Sequence, residues 1–194
     1  AILQLNREFI DGSHMEVVTD TSWKADVGPV SSSHIYHGEV YNALMEQPGW
    51  DTAGFDDSKW SMVVAGEAPQ GKLVSSTQPP MKVVQRIKPV KLEEPRPGVY
   101  VYDLGQNIAG WVRLKVSGPK GTEVTLKHSE LVNYSGVIDP WTNRNAQATD
   151  VYTLKGEGEE VYEPRFTYHG FRYVEVTGYP GTPALDSIEG CVVH

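Results

Sequence analysis

The sequence predicts an all-β protein, an antiparallel, jelly-roll-like β-sandwich, and two observations carry that expectation. Apolar residues recur at every second position, most plainly where Val112, Leu114 and Val116 alternate with Trp111, Arg113 and Lys115, so one face of such a stretch enters a core. No stretch keeps a helical apolar period for three turns, while 19 glycines and 13 prolines punctuate the chain at strand-length intervals. Sheets that bury one face and have no helices to cover it cover each other.

In order along the chain, residues 1–23 read as two short strands around Asp11-Gly12-Ser13, and 35–45 as a weakly alternating strand carrying Glu39, Tyr41 and Asn42. In Pro48–Trp60, two Trp and one Phe stand among Gly and Asp, and Asp56 is placed to cap a helical turn through Lys59. Gly66–Pro80 has linker composition, and Met81–Val90 returns to strand. The proline-punctuated run Glu93–Gly98 marks a boundary, giving domains 1–94 and 95–194.

The stretch Tyr100–Val116 organises the second domain. It reads as two strands joined by a corner, bracketed by Gly105 and Gly110 and self-bonded through Asp103 and Asn107. Trp111–Ser117 is expected to turn at Gly118–Gly121 into a hairpin with Thr122–Leu131, whose Val124, Leu126 and His128 share one face. A second hairpin is expected from Val151–Leu154 to Val161–Pro164, and strands over Phe171–Thr177 and Glu189–Val193 close the chain.

Composition narrows the partners. A formal charge of -8 speaks against nucleic acid or an anionic membrane, which need clustered Lys and Arg, and no run of about twenty apolar residues is present to span a bilayer. The single Cys191 lies in an apolar run and reads as a buried small hydrophobe. The compartment is left open, cytoplasmic or exported, and the native N-terminus is expected to lie before Ala1.

The long excursion from Leu131 to Ala148 concentrates Trp141, Asn143, Arg144 and Asn145. With Asn107 at the corner, these are the candidate carbohydrate-binding residues, since a sugar offers an apolar ring face to an aromatic plane and hydroxyls to amides and guanidinium. Trp and Arg suit a domain–domain contact equally well. Acids such as Asp51, Asp56, Asp57, Asp103 and Glu130 fall on turns or strand ends with nothing to pair any two, so no catalytic residue is assigned. The six histidines (His14, His34, His37, His128, His169 and His194) show no zinc-ligand spacing, so no metal or cofactor is assigned, and His169 reads as a strand-end hydrogen-bonder. Calcium is open through Asp139, Asn143 and Asp150.

An ordered set of motifs then resembles one family. Gly38-Glu39-Val40-Tyr41, Pro48–Asp51 and Gly54–Trp60 look like the N-terminal sandwich of bacterial α-L-rhamnosidases. Tyr102–Asn107 with Gly110-Trp111, then Ala148–Gly156, then Tyr162–Val174, are similar to the sandwich that follows it. The resemblance implies an inverting glycoside hydrolase acting on terminal L-rhamnose, with its acid and base on an α/α barrel C-terminal to these residues. The chain is therefore expected to be a non-catalytic accessory fragment, with a partial sandwich at its N-terminus, whose partners are that barrel and rhamnose-containing carbohydrate. The alternative is an independent L-rhamnose-binding module, calcium-assisted or not. One departure is Tyr41-Asn42-Ala43-Leu44, where the family commonly has Tyr-Asp-Ala-Arg.

Overall fold

The computed structural model describes residues 2–67 and 70–194, and its regular structure is almost entirely strand. In chain order the strands are β1 (Gln4–Glu8), β2 (His14–Val18), β3 (Lys24–Ala25), β4 (Val30–His34), β5 (Gly38–Asn42), β6 (Ser61–Met62), β7 (Val83–Ile87) and β8 (Lys91–Arg96). There follow β9 (Val99–Ser117), β10 (Glu123–Ser129), β11 (Leu131–Val132), β12 (Ile138–Asp139), β13 (Thr149–Thr153), β14 (Glu159–Tyr162), β15 (His169–Thr177) and β16 (Ile188–Val193). Spatial contacts divide the chain into two units, one made of 1–27 with 47–80, the other of 28–46 with 81–194.

In the first unit β1 and β2 form the expected hairpin, with Gln4 opposite Val18 and Glu8 opposite His14. Asp11 closes the turn by accepting from the Ser13 N–H at 2.9 Å, and Gly12 takes a φ of 81° that a side chain would strain. β3 pairs with β6. The helical turn expected after Asp56 does not form: the carboxylate accepts from the Ser58 N–H at 3.0 Å, and the Trp60 N–H reaches Asp57 O at 3.0 Å, making turns alone. Asp and Ser satisfy backbone donors as readily in a turn as at a helix start. Gly66–Glu67 and Gln70–Pro80 carry no strand or helix, as a linker should, while Ala68 and Pro69, like Ala1 before the first strand, lie outside the described residues.

The second unit is a sandwich built on β9. The sheet path runs β4-β5-β13-β10-β15-β9-β16-β7, with β8 and β14 also paired to β9. The two strands and corner expected over Tyr100–Val116 are one bent strand of 19 residues. Its first part pairs with β8 and the end of β15, and its last part pairs with β14 and β16. At the bend Phe171 faces Ile108 and Tyr173 faces Asp103, so Leu104, Gly105, Gln106 and Asn107 bulge against Arg172 alone. The core closes between the layers on Tyr102, Leu104, Ile108, Val112, Leu114 and Val116 of β9, Val124 and Leu126 of β10, and Phe171, Val174 and Val176 of β15.

Neither hairpin expected in this unit forms. β10 follows β9 but pairs with β13 and β15, and β14 follows β13 but pairs with β9. Each glycine-rich turn is an arch from one layer to the other. Alternation and turn residues look the same in an arch and a hairpin, because the partner strand is chosen by long-range packing.

Candidate functional site

The excursion after β10 is a framed loop. β11 pairs with β12, and the turn between them is closed by Asn133 Oδ1 accepting from the Ser135 N–H at 2.9 Å. Asp139 then caps a short 3-10 turn, Pro140–Asn143, by accepting from the Trp141 N–H at 3.0 Å, with Pro140 at the first position, where no N–H is needed. Arg144 and Ala148 turn the chain back with φ of 52° and 44°, left-handed values unusual for side-chain-bearing residues. Two bonds fix the base: Asn143 Nδ2 donates to His128 O at 2.8 Å, and the Ala148 N–H donates to Tyr36 O at 3.0 Å.

This frame leaves Trp141 83% exposed at a groove it shares with Glu130, Asp139, Arg144 and Asn145. Asn107 reaches the same place from the β9 bend, its Nδ2 donating to Glu130 Oε1 at 2.8 Å. Five residues chosen from sequence thus meet at one loop: Trp141, Arg144 and Asn145 line the groove, Asn107 touches its wall, and Asn143 spends its amide on the base. Glu130, a wall of the groove, was read only as one acid among several. A second cleft, lined by Tyr36, Glu130, Asn143, Tyr168 and His169, adjoins through Glu130 and Thr142.

Most of the acids named from the sequence have partners. Asp103 is paired with Arg172, Asp57 with Lys24 at 2.8 Å, and Asp56 with its own turn. Of the trio offered for calcium, Asp139 Oδ1 caps Trp141, Asn143 donates its Nδ2 to His128 O, and Asp150 Oδ1 accepts from the Glu39 N–H at 2.9 Å.

Spacing along the chain missed a cluster that the sheet assembles. His128 on β10, Asp150 on β13 and His169 on β15 are buried together, with ligand atoms within 4.8 Å of one another, the one such group of three or more His, Cys, Asp or Glu among the described residues. The His128 and His169 rings stack at 4.3 Å between centroids, and His169 Nε2 lies 3.2 Å from both Asp150 oxygens. Burial holds the His128 pKa down at about 3, with His169 adding to the fall. Burial alone would raise that of Asp150, but the His169 hydrogen bond, the neighbouring His128 and His169 rings and the Glu39 N–H bring it below the ordinary carboxylate value. The available signal was His128 sharing a strand face with Val124 and Leu126.

Residues 93–194 match the bacterial alpha-L-rhamnosidase concanavalin-like domain, and residues 1–85 match the alpha-L-rhamnosidase N-terminal domain. The chain belongs to the α-L-rhamnosidase family. An α-L-rhamnosidase from Streptomyces avermitilis is 46% identical over 195 residues, covering 100% of this chain and 19% of its own length. One from Formosa agariphila is 36% identical over 97% of this chain and 20% of its own length. Among solved structures, the α-L-rhamnosidase of Dictyoglumus thermophilum superposes with a TM-score of 0.95 at 50% identity, over 100% of this chain and 22% of that one. The Streptomyces avermitilis enzyme complexed with L-rhamnose gives 0.94 at 46% identity, over 100% and 19%. The chain therefore spans about a fifth of the length of the rhamnosidases it matches, as their N-terminal domain region.

Proposed function

We propose that this rhamnosidase region is a non-catalytic scaffold: it supports the catalytic α/α barrel of a longer enzyme and helps present terminal L-rhamnose glycosides along the Trp141 groove. The observation that carries the reading is the match of the whole chain to about a fifth of enzymes named α-L-rhamnosidase, one of them solved with L-rhamnose. A largely solvent-exposed indole beside Arg144, Asn145 and Glu130 gives a sugar an apolar face and both kinds of hydrogen-bond partner. Holding a substrate near its reacting groups lowers the entropic part of the barrier, which is what a supporting domain can add.

A second reading, an independent module for L-rhamnose, is favoured by the rigid framing of the Trp141 loop. Titration of the purified chain with L-rhamnose, followed by amide chemical shifts with and without calcium, separates the two. Weak millimolar shifts confined to residues 130–148 fit presentation, and tight saturable binding by the chain alone fits the module. No shift in that loop at any concentration overturns the presenting role. An aryl rhamnoside assay should give no turnover by the chain itself, and turnover would overturn the scaffold.

A further inference from the structure

The cluster of His128, Asp150 and His169 lies below the groove, and its hydrogen-bond inventory does not balance. His128 Nδ1 is 2.9 Å from Ala148 O, which can only accept, so the ring proton sits on Nδ1 and Nε2 carries a lone pair. That Nε2 is fully buried and has no hydrogen-bond partner. It points instead toward Asp150 Oδ2 at 3.9 Å, so two acceptors face each other with no donor between them. Two buried acceptors left facing each other are unfavourable, and a cation between them removes that cost.

We propose that His128 Nε2, His169 Nε2 and Asp150 Oδ2 form a buried site for one divalent transition-metal ion of the zinc class. A tetrahedral zinc with bonds of about 2.0–2.2 Å needs ligand atoms roughly 3.3–3.5 Å apart. His169 Nε2 is already 3.2 Å from Asp150 Oδ2; His128 Nε2 must close from 3.9 Å by about half an ångström, and the two rings, stacked at 4.3 Å, must tilt apart so that both lone pairs meet at the ion. The outer contacts are those a ligating set has: the Ala148 carbonyl fixes the His128 tautomer with Nε2 free, and the Glu39 N–H holds the other Asp150 oxygen. On binding, the proton that His169 Nε2 shares with Asp150 moves to Nδ1, so the ring stays neutral. Two imidazoles and one carboxylate suit zinc, cobalt or nickel better than calcium, which takes six to eight oxygens. Of the three ligands His169 alone lines the cleft with Tyr36, Asn143 and Tyr168, so that cleft approaches the site from the His169 side.

A metal there clips β10, β13 and β15 together directly beneath the Trp141 loop, because His128 O holds Asn143 and Ala148 O holds His128. The test uses the untagged chain, incubated with Zn2+ and separately refolded in its presence so that slow entry cannot hide a site, then desalted and analysed for metal. One equivalent should be retained, Co2+ should give an absorption spectrum of low coordination number, and Asp150→Asn should weaken retention at least about tenfold. The double variant His34→Gln/His37→Gln, which removes an exposed stacked pair, should retain the full equivalent. Because Asp150→Asn can cost the fold, histidine nitrogen shifts of the unsubstituted chain give a second readout, in which zinc should move His128 Nε2. No retained metal, retention that follows His34 and His37, or an unmoved His128 Nε2 overturns the site.

Discussion

Arg172 holds Asp103 through two charge-assisted hydrogen bonds, Nε to Oδ1 at 2.7 Å and Nη2 to Oδ2 at 2.8 Å. The same Oδ1 accepts the Gly105 N–H at 2.7 Å, so one carboxylate fastens the bulge of β9 to the strand beside it. The Arg172 bonds, opposed by burial and helped by Gly105 and Lys91, keep the Asp103 carboxyl below its usual range.

Asp103→Asn should lower the thermal midpoint by about 2–4 °C, because solvent screens a partly exposed pair but the bend loses its bidentate clamp. Arg172→Lys should fall nearly as far, since a point charge cannot grip both oxygens. Calorimetry of the two variants checks this, and a Lys variant as stable as the parent would contradict it.

Much of this was legible in sequence, and the two mistaken hairpins and the missed cluster share one cause. Val112, Leu114 and Val116 are buried as their alternation requires, and the Asp11-Gly12-Ser13 turn forms where its residue types demand. That Trp141, Arg144 and Asn145 line one groove followed from their closeness in a long polar excursion in which one indole and one guanidinium stand out locally. The arches after Ser117 and Leu154 looked like hairpins because partner choice depends on distant strands, and the His128–Asp150–His169 cluster is drawn from three strands about twenty residues apart in the chain.

Glu39 is fully buried, yet its carboxylate is met by the Tyr162 hydroxyl at 3.2 Å and by the N–H groups of Arg165 and Phe166 at 3.0 and 3.3 Å. Glu39→Gln replaces one acceptor by a donor and leaves a buried group unmet, which should cost about 1–3 kcal/mol in urea denaturation without changing the fold. Tyr162→Phe in the same background should then cost less than it does alone, the sign of a shared network.

Glu160 accepts from the Tyr152 hydroxyl at 2.7 Å and from the N–H groups of Lys155 and Gly156 at 2.9 and 2.8 Å, tying down the arch before β14. Burial pushes its pKa up, but these donors outweigh burial and hold it below its ordinary 4.5. As pH falls the unfolded chain takes up this proton first, so the stabilisation is complete above about pH 4.5 and is lost as pH drops through the folded value. Glu160→Gln should therefore be less stable than the parent at pH 7 and approach it toward pH 3. Urea midpoints across that range measure the convergence.

Cys191 is fully buried on β16, with Arg86 Nη1 3.2 Å from its sulfur. Burial, with the Glu163 charge behind it, pushes the thiol up to about 12, and Arg86 pulls only partly the other way. Reaction with an aromatic disulfide needs the thiolate, which at pH 8 is then about one part in ten thousand, and the reagent cannot reach the sulfur in any case. The native chain should stay unlabelled for hours and give one thiol per chain in denaturant, so the labelling rate reports separation of β16 from its neighbours β7 and β9. Labelling of the native chain at the rate of a free thiol would show that β16 does not stay paired with β7 and β9.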